Sequence, residues 1–164
     1  MIYLIKVIIV IKKIIKILLV VIWMGVIFSF SSDNKNASDN KSSSVIITIY
    51  HFFSDKELTK LEEKQIIEKY AYPIRKIAHF TEYFILGLLV ISLISEYTII
   101  SRKAIIIGII ICLLYAISDE LHQLFTSGRS ARVFDVLVDT SGSTSSILIY
   151  TFIKNKLLRR DKYE

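Results

Sequence analysis

Four apolar stretches dominate the chain: Ile14 to Phe30, Arg75 to Ser95, Ala104 to Gln123 and Phe134 to Ile153. A hydrocarbon core of about 30 Å, crossed at 1.5 Å per helical residue, asks for about 20 residues, which is what each stretch supplies. Composition agrees. The 164 residues are 53% hydrophobic with a mean hydropathy of +0.54, yet hold one proline and five glycines, too little turn chemistry for a water-soluble domain. The expected fold class is therefore all-α, a four-transmembrane-helix membrane bundle with a short extracytoplasmic helix/loop region. The formal charge of +6 points away from nucleic acid because the basic residues sit at the edges of the apolar runs. Cys112 is the one cysteine, mid-span, and reads as a small apolar residue. Glycine-rich phosphate loops, Cys/His zinc spacings and nucleophile elbows are missing from the sequence.

Those basic edges predict the topology. Lys6, Lys12, Lys13 and Lys16 precede or open the first stretch, Arg102 and Lys103 lie between the second and third, and Lys154, Lys156, Arg159, Arg160 and Lys162 follow the fourth. Eleven basic residues thus fall on one side, against Arg129 and Arg132 in the short loop after Phe125, so both termini are expected in the cytoplasm of a multi-pass cell-membrane protein. A cleaved signal peptide is the rival reading of the first stretch, but no convincing small-x-small site precedes Ser31. The expected organisation is residues 1–30, a basic N-terminus and first span; 31–72, an extracytoplasmic loop with an amphipathic helix; 73–153, a core of three spans; and 154–164, a basic tail.

Within 31–72, the run SSDNKNASDNKSSS is polar enough to be expected as a mobile loop, and Val45 to Tyr50 as a short strand or an interfacial patch. Ser54 followed by Glu57 has the spacing of a capping box, which predicts an amphipathic helix over Asp55 to Tyr70 running into Pro73. Pro73 fits the first turn of the second span.

The three later stretches carry ionisable residues at matching depths. Measured from the cytoplasmic boundary at 1.5 Å per residue, Glu82, Asp119 and Asp139 lie about 20 to 22 Å up, His79, His122 and Asp135 about 24 to 27 Å, and Arg75 and Arg132 near about 30 Å. A lone charge at such depth costs at least ~2 kcal/mol, so these groups are expected to face one another. Helical spacing agrees. Arg75, His79, Glu82 and Tyr83 form one stripe; Ser118, Asp119, His122, Gln123 and Thr126 share an arc from which Glu120 points away; and Arg132, Asp135, Asp139 and Gly142 step by three and four. Gly142 and Ser146 form a small-xxx-small pair suited to close backbone approach, while the neighbouring serines are expected to bond their own carbonyls.

The stretches Arg75-Lys76-x-x-His79-x-x-Glu82-Tyr83, Ser118-Asp119-Glu120-x-His122-Gln123, Gly128-Arg129-Ser130 and Asp135-x-x-x-Asp139-x-x-Gly142 resemble the VanZ-like family of small bacterial membrane proteins. Trp23 followed by Phe28-Ser29-Phe30-Ser31-Ser32 is similar to that family's opening. The chain departs from the pattern where Asp139 stands at a position usual for an amide or acid, and where Ser127 rather than proline precedes Gly128. The resemblance implies a multi-pass envelope protein whose namesake is linked to low-level tolerance of the glycopeptide teicoplanin. It brings no reaction with it.

Three readings of the polar layer follow from the residues. As a site, Arg75, Arg129 and Arg132 suit a phosphate or carboxylate of a membrane lipid or lipid-linked cell-wall precursor, since guanidinium forks bind such oxygens bidentately. His79 and His122 would then act as general acid and base, with Glu82 and Asp119 orienting them, and Tyr83, Gln123, Asp135 and Asp139 completing the binding surface. As a scaffold, the same arginines pair with Glu82, Asp119, Asp135 and Asp139 to hold three helices together. As a metal centre, His79 with Glu82 and Asp119 with His122 form two His/carboxylate pairs, but the first is in reversed order for a di-metal bundle, so no metal or other cofactor is expected. A permeation path is disfavoured by the dry floor of Phe84 to Leu93 and Ile105 to Leu114.

Overall fold

The computed structural model describes residues 2–160, with side chains over 3–157; Lys162 of the basic tail lies outside the described residues. Among the described residues five helices follow one another: α1 (Ile2–Ser31), α2 (Lys35–Phe53), α3 (Lys60–Ile94), α4 (Arg102–Gln123) and α5 (Val133–Arg160). By length and composition, α3, α4 and α5 are each able to cross a membrane. They form the centre of the molecule, with α3 packed most extensively against α5. The buried apolar core runs through Tyr83, Leu86, Val90 and Ile91 of α3, Cys112 and Ala116 of α4, and Ile147 of α5, with Val20 and Ile27 of α1 against it. Outward faces are apolar as well, as at Ile107, Ile111, Leu114, Leu148 and Phe152, the pattern of helices that contact lipid.

The α3–α5 seam is close because small residues line it. A Cβ at Gly142 would fall on the carbonyl oxygen of Phe80, and one at Gly87 on Ser146 Oγ and the backbone of Ser143. The serines of α5 return their hydroxyls to their own helix: Ser141 to Val138 O (2.6 Å), Ser145 to Ser141 O (2.8 Å) and Ser146 to Ser143 O (2.8 Å).

Direction alternates along the bundle. At one end Glu96, just after α3, bonds Lys16 (2.5 Å) and Lys12 (3.1 Å) of α1, and those ammonium groups hold its carboxyl below the usual range. Lys13 covers the ring of Tyr97 at the same end. At the other end the last turn of α1 meets the last turn of α4, where Ser32 Oγ lies 3.1 Å from His122 Nε2.

Four sequence expectations for residues 31–73 are corrected. The serine-rich run is helical, not a mobile loop, and Val45 to Tyr50 continues that helix and is not a strand. Asn34 caps α2 by accepting from Ala37 N (2.9 Å), and Ser42, Ser43, Ser44 and Thr48 donate to the carbonyls four residues back, so hydroxyls that favour a loop in isolation are satisfied in the helix. Ser38, Ser42 and Ile46, four residues apart, form the face buried against the rest of the molecule. The capping box is made by Thr59 and Glu62, not Ser54 and Glu57. Thr59 N donates to Glu62 Oε2 (2.9 Å) and Glu62 N to Thr59 Oγ1 (3.3 Å), while Ser54 closes α2. Finally, Pro73 is interior to α3 rather than in its first turn. The helix passes through it, forgoing the bond a residue there would donate to Lys69 O.

Candidate functional site

α3 and α5 run parallel to each other with α4 antiparallel to both, and the three carry their ionisable groups to a common level. Between α3 and α5, Lys76 pairs with Asp135, and His79 Nδ1 lies 3.4 Å from Asp139 Oδ1, with Asp139 fully buried. Between α4 and the start of α5, Glu120 is 3% exposed and accepts from the backbone N of Arg132 at 2.8 Å. Its position off the Asp119 arc is what lets it reach the neighbouring loop. Arg132 itself is exposed.

A cavity of about 520 Å³ opens beside this layer, walled by α1, α2, α3, the end of α4 and the loop after it. His79, Glu82, Asp119, Arg75 and Arg129 all line it. Its remaining wall is largely apolar, with Trp23, Ile27 and Phe30 from α1, Val45 and Ile49 from α2, and Ile74, Ile77 and Ile85 from α3. Trp23 is fixed there by its indole N–H, which donates to Glu82 O at 2.9 Å. The cavity is thus an apolar chamber with a charged end, the form that suits an amphiphile.

The charged end is only partly satisfied from within. Arg75 donates to Asp39 of α2 at 3.1 Å. Arg129 donates to the amide oxygen of Gln123 at 3.3 Å, and its buried Nε has no partner among the described residues. Burial first, and then the facing Arg75 guanidinium, hold Arg129 below its usual range, against the opposing pull of the Asp33, Asp119 and Glu120 carboxylates. Asp119 is 3% exposed, its Oδ2 receives a long bond from Gln123 (3.5 Å), and its Oδ1 has none.

Not all the candidate residues share this cavity. His122 stacks on Phe28 of α1, centroids 4.3 Å apart, and does not line it. Tyr83 is fully buried, its ring 6.2 Å from Tyr115 and its hydroxyl unpartnered. Gln123, Asp135 and Asp139 stand behind the wall, each against a neighbour of the cavity or of the layer. The pairing expected of a scaffold, with Arg75, Arg129 and Arg132 on Glu82, Asp119, Asp135 and Asp139, is not formed among the described residues. Lys76, His79 and Asp39 supply the contacts instead. No three His, Cys, Asp or Glu side chains converge as a metal site needs, among the described residues.

Sequence reasoning missed the contribution of α2: Asp39 on Arg75, and Ser38, Lys41 and Ser42 in the cavity wall. The available signal was the four-residue spacing of Ser38, Ser42 and Ile46, masked by a composition typical of loops. Lys41 in turn pairs with Asp33 at 2.5 Å.

The family model described as VanZ/LLP1 matches residues 16–154 of the chain. Among curated proteins and among solved structures nothing matches it.

Proposed function

This chain belongs to the VanZ-like (VanZ/LLP1) family, and on that premise we propose that it is a four-span protein of the cell membrane whose cavity binds an anionic amphiphile at the outer face. The ligand class is a lipid head group or a lipid-linked cell-wall precursor, and its capture lowers susceptibility to teicoplanin. The observation that carries the reading is the cavity itself, where an apolar wall from three helices ends on Arg75, Arg129, His79, Glu82 and Asp119. Arg129 supports an oxyanion contact best, since an amide rather than an acid is its partner. In this reading α1 is the fourth span and both termini are cytoplasmic, because Lys12, Lys16 and Lys154 gather at the end opposite the cavity.

Gln123 orients Arg129 and Asp139 orients His79, as positioning residues. Any proton transfer at the site falls to His79, with Glu82 one turn away on the same face. His122, set against Phe28, supports the junction of α1 with α4. A purely structural role is favoured for one part of the layer, the Lys76–Asp135 pair that joins α3 to α5.

The test is Arg129→Gln and His79→Gln expressed at the level of the unmodified protein. Arg129→Gln is expected to abolish the teicoplanin phenotype and the co-purification of phosphate-bearing lipid while the protein stays abundant. A phenotype that survives both substitutions, or disappears only when the protein does, would replace this reading by the scaffold one.

A further inference from the structure

The cavity holds negative as well as positive groups that are near one another, not all of them in direct ion pairs among the described residues. Glu82 and Asp119 face it from α3 and α4, and neither has a cationic side chain at ion-pair distance among the described residues. Asp119 is nearly fully buried with Oδ1 in no hydrogen bond of normal geometry among the described residues; the Ser31 hydroxyl beside it is equally without one, and a neutral hydroxyl would leave the carboxylate's charge uncompensated until a cationic donor arrives. Arg129 stands in the same wall with a buried Nε equally without partner. Satisfying both asks for one molecule that carries an N–H-bearing cation and an oxyanion together. A primary ammonium offers three donors to the two carboxylates, whereas a trimethylammonium offers none.

We infer that the cavity takes a zwitterionic aminophospholipid of the phosphoethanolamine class, its ammonium between Glu82 and Asp119, its phosphate on Arg129, and its acyl chains along the apolar wall of α1 and α3. This rests on the amphiphile reading above and adds the cationic half of the head group. Trp23, the one tryptophan of the chain, lines the cavity and reports its occupancy.

The experiment titrates the full chain in detergent with brominated-chain phosphatidylethanolamine, phosphatidylcholine or phosphatidylglycerol and follows quenching of Trp23 fluorescence. Saturable quenching is expected, with half-quenching by phosphatidylethanolamine at a concentration about ten-fold lower than by the other two, the effect of one charge-assisted hydrogen-bond set. Asp119→Asn and, separately, Glu82→Gln are expected to remove that preference, so that phosphatidylethanolamine quenches at the same concentration as phosphatidylcholine; two variants are used so that misfolding of one, read from its helix content, leaves the other. Equal quenching by all three lipids would overturn the zwitterion assignment and leave the amphiphile reading standing. Absence of saturable quenching by any lipid would sink both. Displacement of the lipid by soluble glycerophosphoethanolamine at equal concentration would assign the site to a free head group and overturn the lipid assignment.

Discussion

Gly142 meets the carbonyl oxygen of Phe80, so a methyl group placed there has only backbone to push against. Gly142→Ala is expected to cost about 1 to 3 kcal/mol through forced separation of α3 from α5, read as a lower thermal midpoint in detergent. Gly108→Ala is the control, since its nearest neighbours are the flexible ends of Ile147 and Ile94 at 3.4 and 3.5 Å. The Lys76–Asp135 pair is the second residue-scale test. Both side chains are largely buried, so Lys76→Met leaves a carboxylate without a partner and is expected to destabilise by ~3 kcal/mol. Asp135→Leu in that background is expected to restore much of the loss, and a double-mutant cycle on thermal midpoints measures the coupling.

The start of α3 is set by chemistry that is local and exposed. Lys56, with both Thr59 donors behind it, holds the Glu62 carboxyl down to about 2. Because the folded value lies below the ordinary carboxylate range, the capping contribution is complete at neutral pH and disappears as pH falls through about 2. An NMR titration is expected to place the Glu62 midpoint near that value and to move it upward in Lys56→Ala. Thr59→Ala is expected to weaken the first turn of α3 by about 1 kcal/mol, seen as faster amide exchange over residues 60–64 with the spans unaffected. Ser54→Ala, outside the box, is expected to leave that exchange unchanged.

For the whole molecule, the arrangement of charge at the two ends makes orientation a measurable consequence. In a Cys112→Ala background, a single cysteine at exposed Asn40 is expected to react with a membrane-impermeant maleimide on intact cells, and one at exposed Lys156 only after permeabilisation. Reaction at both positions from outside would contradict the three crossings, by α3, α4 and α5, that separate them. The two ends also differ in kind. Around Glu96 the charges are paired and hold α1 against α3, whereas around Asp119 and Arg129 they are incompletely paired and border a cavity. The proposed binding is assigned to the second end because side-chain partners there are still wanting among the described residues.

What the sequence determined by itself is whatever depends on rise and period along one helix. The common depth of Glu82, Asp119 and Asp139, the stripe from Arg75 to Glu82, and the small face around Gly142 follow from 1.5 Å and 3.6 residues per turn, whatever the neighbours. Tertiary structure decided which groups meet across helices. Arg75 takes Asp39, and Lys76 rather than an arginine takes Asp135, because rotation and lateral order are properties of the packed set and several pairings satisfy the same charges. It also decided that 35–53 is a helix. Serine hydroxyls taken alone favour a loop over a helix, and the face formed by Ser38, Ser42 and Ile46, buried against the bundle, tips the balance the other way.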